Sequence, residues 1–218
     1  MPHPLLDLLL AAADGRFPPV DGAVEVMAPE RSGHHAVVEF TGHAVVLTDR
    51  DPRELDDRGA DGFGGVNQPD LLRWLAGPDG WVGSHDIVLV ARGVAGGIPG
   101  GTLPARTDLD DHPRVIRSYE HRVGVRVFGN ESGVVTLGFG LVGRLEMSVQ
   151  LFSGVREPGA GRRLIALALA LVAADQPVFA QVAPGNAASL RAFLACGFVP
   201  IGAETLLSPR GSDSWSAH

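Results

Sequence analysis

At 218 residues, 45% apolar and 20% charged, the chain has a globular composition and the length to bury a core without disulfides or a structural metal. A formal charge of −7 argues against sequence-independent nucleic-acid binding, which needs a basic surface. All 18 basic residues are arginine, so no lysine can act as base or Schiff-base nucleophile, and the single cysteine, Cys196, excludes an intramolecular disulfide or a CxxC site.

Residues 1–15 are apolar but lack a basic leading segment and carry Pro2, Pro4 and Asp7, which predicts a first helix rather than a secretory leader. Strand-like runs follow at "AVEVMAP", "HHAVVEF" and "HAVVLTD", then a charged, glycine-rich passage over 49–65 and a short helix at "PDLLRWLAG". Residues 1–85 are thus expected to form a folded amino-terminal α/β region. Three roles are open to it: a lid, the surface of a homodimer, or a degenerate partner domain. His34, His35 and His43 lie close together there without metal-ligand spacing, so no metal is expected.

A second region is expected over 86–208, with a tail at 209–218. "DIVLVARG" reads as a buried strand and the Gly/Pro-rich 93–101 as a mobile connection. "DDHPRVIRSYEHR" predicts a short helix started by Asp110 or Asp111. The period then changes to two: Val123, Val125 and Val127, the turn "GNESG", then Val135, Leu137, Phe139 and Leu141, which is a hairpin. A third strand puts Leu145, Met147, Val149 and Leu151 on one face and Glu146, Ser148, Gln150 and Phe152 on the other.

Helix, strand, helix and strand follow in "GAGRRLIALALALVAA", "PVFAQVA", "NAASLRAFLACG" and "FVPIGAETLL". A meander running into a βαβ crossover predicts an α/β fold of the α+β type, with a mixed, mostly antiparallel central sheet flanked by helices. The longest apolar helical run, 164–174, is too short to span a bilayer, so a soluble cytoplasmic protein with no membrane partner is expected. Cys196, in "SLRAFLACGF", reads as a small core residue of a helix.

The stretch "REPGAGRRL" is the most informative. A strand-to-helix turn leaves the first helical N–H groups without internal partners, and the helix dipole adds partial positive charge there. Gly159 and Gly161 let a ligand come close to the backbone, and Arg156, Arg162 and Arg163 can add charge-assisted bonds to phosphate oxygens. Tight packing alone also explains such a turn. It is not a Walker loop, which needs a lysine, and one GxG is not a dinucleotide fingerprint. Downstream, "PGNAASLRAFLACGF" opens a helix at Asn186, with Ser189 three residues later, Phe193 four beyond that, and Gly197-Phe198 closing it.

Arg156-x-x-Gly159-x-Gly161 resembles the R/Q-x-x-G-x-G/A motif of the GNAT superfamily of acyl-CoA-dependent N-acyltransferases. Asn186-x-x-Ser189…Phe193…Gly197-Phe198 is similar to that family's second motif, in the same order and with the same intervening helix and strand. The resemblance covers residues 86–208. It implies a sheet splayed between the strands at 145–152 and 178–183, with acetyl-CoA, the co-substrate, in the split. It also implies that the backbone of Val155, Arg156, Gly159, Ala160, Gly161 and Arg162 holds the pyrophosphate. Val149, Gln150 and Leu151 would then pair with the pantetheine amides, and Asn186, Ser189 and Phe193 would contact the donor. Asn186 and Ser189 read equally as an ordinary helix cap.

The activity implied is transfer of an acetyl group to a primary amine of a small molecule or peptide. Such a reaction needs a group to take the amine's proton. Glu146, on the polar face of its strand, is the leading candidate base, with Glu120 and His121 as rivals. Phe193 departs from the family, where many members carry a tyrosine able to protonate the leaving thiolate. The alternative is therefore a non-catalytic acyl-CoA-binding or regulatory protein. Acidic runs such as "DRDPRELDD" would favour a cationic acceptor by long-range attraction, although such runs are commonly solvated loops.

Overall fold

The first helix forms where the sequence supplies its own start signal. In the computed structural model, which describes residues 2–29, 35–94, 96 and 101–209, α1 spans Pro4–Ala13. His3 caps it by accepting from the Leu5 amide at 3.2 Å, Pro4 takes the first helical position, and Leu5, Leu9 and Ala12 make its buried stripe. Next come β1 (Val24–Met27), β2 (His35–Phe40) and β3 (His43–Leu47). β2 and β3 form an antiparallel hairpin that turns at Gly42, whose φ of +67° suits glycine, and β1 lies parallel to β3.

The charged passage holds a short helix that its glycine and charge content conceal, α2 (Pro52–Asp56), started by Asp51 accepting from the Arg53 amide at 2.9 Å. The elements that follow are α3 (Pro69–Ala76), β4 (Trp81–Arg92), α4 (Pro113–His121), β5 (Val123–Asn130), β6 (Gly133–Phe139) and β7 (Leu145–Leu151). The chain continues with α5 (Ala160–Leu169), β8 (Pro177–Val182), α6 (Ala187–Leu194) and β9 (Val199–Ser208).

Three local expectations are corrected. α4 starts at His112 rather than Asp110 or Asp111, because Pro113 fixes the first helical position and the His112 Nδ1 accepts from the Arg114 amide at 3.1 Å. α5 ends before its apolar run does, since the amides of Leu171 and Val172 bond three residues back in a tightened turn. Cys196 lies beyond the end of α6 and is half-buried, so it is not a core residue of that helix.

The chain divides into two units, one of residues up to Val88 with those from Ile201 on, the other Leu89–Pro200. In the first, the strand order is β1-β3-β2-β9-β4, with β9 antiparallel to β2. Val37, Val46, Leu55, Leu71, Leu75 and Leu207 form its core. A polar cluster sits beside this core. Asn67 Nδ2 donates to Glu39, Thr205 Oγ1 donates to Asn67 Oδ1 at 3.2 Å, and His85 Nε2 stands 3.7 Å from Glu39 Oε2. Burial pushes the Glu39 carboxyl above its usual range, opposed by the nearby His85.

In the second unit the order is β4-β8-β7-β6-β5. β5, β6 and β7 are antiparallel neighbours and β7 runs parallel to β8, which is the mixed sheet that the alternation predicts. α4 bonds to Ser148 and Gln150 on one face of β7, while Gly161 at the start of α5 approaches Leu151 on the other. His34, residues 95 and 97–100 of the glycine-rich connection, and the tail from residue 210 lie outside the described residues. Among the described residues no helix is long and apolar enough to cross a membrane, and no group of three or more His, Cys, Asp or Glu is placed to hold a metal ion.

Candidate functional site

Four residues of helix and two of strand both advance about 6–7 Å, so side chains four apart on α4 can face side chains two apart on β7. Arg114, Ser118 and Arg122 use that match. Arg114 Nε donates to Gln150 Oε1 at 3.3 Å. The Ser118 hydroxyl lies 2.8 Å from that of Thr136, which lies 2.6 Å from that of Ser148. Arg122 Nε donates to Glu146 Oε2 at 2.7 Å. The four-residue spacing in "RVIRSYEHR" marks a shared helix face, but it does not say which strand that face covers.

Glu146 is buried, and its other oxygen accepts from Arg144 Nε at 2.8 Å. Gly140 makes room for it, since a Cβ there would overlap the carboxylate. Burial pushes the Glu146 carboxyl up, but the guanidiniums of Arg144 and Arg122 outweigh this and hold it below the usual carboxylate range. A carboxylate with both oxygens engaged and a lowered proton affinity is poorly suited to take a proton from an amine. Of the rivals, Glu120 is exposed, while His121 is half-buried at the carboxyl end of α4, next to Arg122.

The backbone of β7 has one committed edge and one open edge. The Phe152 amide bonds the Ser132 carbonyl at 3.0 Å, and the Gln150 carbonyl points at Gly133, so alternate residues starting from Gln150 face β6. The N–H and C=O groups of Val149 and Leu151 therefore face the β8 side. There β7 and β8 pair at Glu146 and Phe179; among the described residues no later register pair follows, although β7 runs on to Leu151 and β8 to Val182. This is the stretch over which the resemblance expects the strands to part.

β7 leads into the mouth of α5. Gly159 is its N-cap with φ +83°, a left-handed conformation that suits glycine. The Val155 amide bonds Phe152 O at 3.2 Å and the Ala160 amide bonds Glu157 O at 3.2 Å, while the Gly161 and Arg162 amides of the first turn have no backbone partner among the described residues. A Cβ on Gly154 would meet nothing within 4 Å, and one on Gly161 would meet only Leu151, at 3.9 Å. Arg163 is paired with Glu157, whereas Arg156 and Arg162 have no ion pair among the described residues. This turn is open, donor-rich and positively charged.

In the second motif, Asn186 Oδ1 accepts from the Ser189 amide at 3.1 Å, so the Asn186 side chain serves as the cap of α6. Phe193 is buried edge-on against Phe198, with ring centroids 4.9 Å apart. Cys196 Sγ donates to the Arg162 carbonyl at 3.3 Å, and burial pushes its thiol up against the opposing pull of Arg162.

No protein-family model matches the chain, and no curated protein sequence matches it. Among solved structures it is similar to one described as an acetyltransferase of the GNAT family from Novosphingobium aromaticivorans, with 16% identity and a TM-score of 0.45 over 61% of this chain and 68% of that one. It is also similar to a GCN5-related N-acetyltransferase from Kribbella flavida, with 14% identity and a TM-score of 0.44 over 95% of each chain. A GNAT-family acetyltransferase from Colwellia psychrerythraea shares 6% identity and a TM-score of 0.41 over 77% of this chain and 76% of that one. These are distant likenesses of fold, at identities too low to carry an activity across.

Proposed function

We propose that the second unit is an acyl-CoA-dependent N-acyltransferase that moves an acetyl group to a primary amine. One observation carries the reading: the open backbone edge at Val149 and Leu151 runs through an uncrowded turn into the unbonded first turn of α5, flanked by Arg156 and Arg162. An extended pantetheine arm suits that edge as another strand would, and a pyrophosphate suits the helix mouth. The donor's thioester supplies the activated acyl carbonyl. In this reading the Val149 N–H donates to the oxygen that gains charge as the amine attacks. His121, rather than the ion-paired Glu146, takes the amine's proton. Phe193 has no proton to give the departing thiolate, so solvent returns it.

A second reading, an acyl-CoA-binding protein without turnover, is favoured by the engagement of Glu146 with two arginines and by Phe193. Calorimetry with CoA, acetyl-CoA and longer acyl-CoAs, followed by assay of free thiol across a panel of amines, tests both. Saturable binding with thiol release is the expected result. Binding without turnover favours the second reading, and absence of binding overturns both.

A further inference from the structure

On the α4 face of the sheet the guanidiniums of Arg122 and Arg144 engage the Glu146 carboxylate, and a third guanidinium, that of Arg114, lies further along α4 beside Gln150. The two oxygens of Glu146 are shared between Arg122 and Arg144. Among the described residues the Arg114 guanidinium has only the neutral Gln150, at 3.3 Å, and it feels Arg117 and Arg122 as like charges. Among the described residues the terminal nitrogens of Arg122 reach only neutral oxygens at long range, Thr136 Oγ1 at 3.3 Å and Gln181 Oε1 at 3.4 Å. The Arg122 side chain is 9% exposed. Positive charge so removed from water is costly unless a counter-charge offsets it.

Gln181 adds an independent sign. It stands two residues beyond Phe179, on the face shared with Glu146, where β7 and β8 no longer pair. Its Oε1 accepts from Arg122, which fixes the orientation of the amide. Its Nε2 is buried without a hydrogen-bond partner among the described residues. A buried amide donor without an acceptor, beside guanidinium donors with only weak ones, calls for an oxygen anion. A carboxylate, planar and offering two oxygens, matches that donor set.

We infer that Arg114, Arg122 and Gln181 form a carboxylate-binding subsite, and, resting on the acyltransferase reading, that one of the two reacting partners carries a carboxylate. It belongs either to an amino-acid-like acceptor or to a dicarboxylic acyl group on the donor. This selectivity is opposite in sign to the cationic preference that the acidic loops suggest.

The subsite is tested without CoA by calorimetric titration of the full chain with N-acetylglycine and with its uncharged amide. The acid should bind saturably and at least tenfold more tightly than the amide. Gln181→Glu places a carboxylate beside Arg122; it should raise Tm and abolish binding of the acid. Arg114→Gln keeps the bonds among Arg122, Glu146 and Arg144, and should weaken the acid about tenfold. Equal binding of acid and amide, or a Gln181→Glu protein that is less stable or still binds the acid, overturns the proposal.

Two further arms separate the sources. With acetyl-CoA present, an α-amino acid is compared with its amide as acceptor; separately, succinyl-CoA is compared in binding with butyryl-CoA. Preference for the charged member of the first pair assigns the carboxylate to the acceptor, and of the second pair to the acyl group. Preference in neither overturns the inference about the reacting partners. If N-acetylglycine binds and acetyl-CoA does not, the acyltransferase reading fails while the subsite stands.

Discussion

The Nε of Arg122, the residue that follows α4, donates to Oε2 of Glu146, the second residue of β7, at 2.7 Å, and both side chains are more than nine-tenths buried. Replacing Glu146 by Gln leaves Arg122 and Arg144 without their shared counter-charge. Breaking one partner of such a pair costs about 3–5 kcal/mol, and a clear fall in Tm is expected. The pH dependence has a definite sign. The folded-state pKa of Glu146 lies below its unfolded value, so the stabilisation is complete above about pH 4.3 and is lost as pH falls through the folded value. Acid titrations followed by circular dichroism should show this loss in the native chain and a flatter response in Glu146→Gln.

Gly161→Ala separates packing from ligand binding. The position is helical, and an added Cβ meets only Leu151 at 3.9 Å, so folding is unhindered and helix propensity improves by about 0.5–1 kcal/mol. If phosphate approaches the Gly161 amide, the methyl group crowds it. Tm should hold or rise while affinity for CoA falls about tenfold in calorimetry; unchanged affinity would place the pyrophosphate elsewhere.

His121→Ala should lower kcat at least tenfold while leaving the Kd for acetyl-CoA unchanged, because the imidazole is assigned to proton transfer and not to the donor. Steady-state kinetics beside calorimetry checks the split. An unaltered kcat would return the proton to solvent.

In the first unit, Glu39→Gln should stabilise the protein. Burial holds the Glu39 carboxyl above its usual range, so at neutral pH the folded state carries a charge it disfavours, and native stability falls as pH rises through that raised value. The amide keeps an oxygen for Asn67 to donate to. A Tm gain of about 2 °C at pH 7, vanishing towards pH 4, is expected in calorimetric scans.

What the sequence revealed was local. Alternation from Leu145 to Leu151 set the two faces of β7, Asn186 announced its helix cap, and the glycines of "PGAG" marked a strand-to-helix turn, because each signal is local. The partners of Glu146 were not legible. Arg122 comes 24 residues earlier, and only the docking of α4 over the polar face of β7 brings it near. Nor does the strand-like polar alternation around Glu146 reveal that its face is covered. Strand order has the same character: nothing near "DIVLVARG" says that its carboxyl end will lie beside β8.

The rungs between α4 and β7 bear on how a substrate is admitted. A slide of α4 by a single residue would misalign Arg114 from Gln150, Ser118 from Ser148 and Arg122 from Glu146 together. Small rearrangements are thereby penalised three times over, and that wall cannot creep to accommodate an ill-fitting guest. Discrimination there comes from a rigid template that guests either match or fail, and changing it takes a coordinated exchange of residues on both elements.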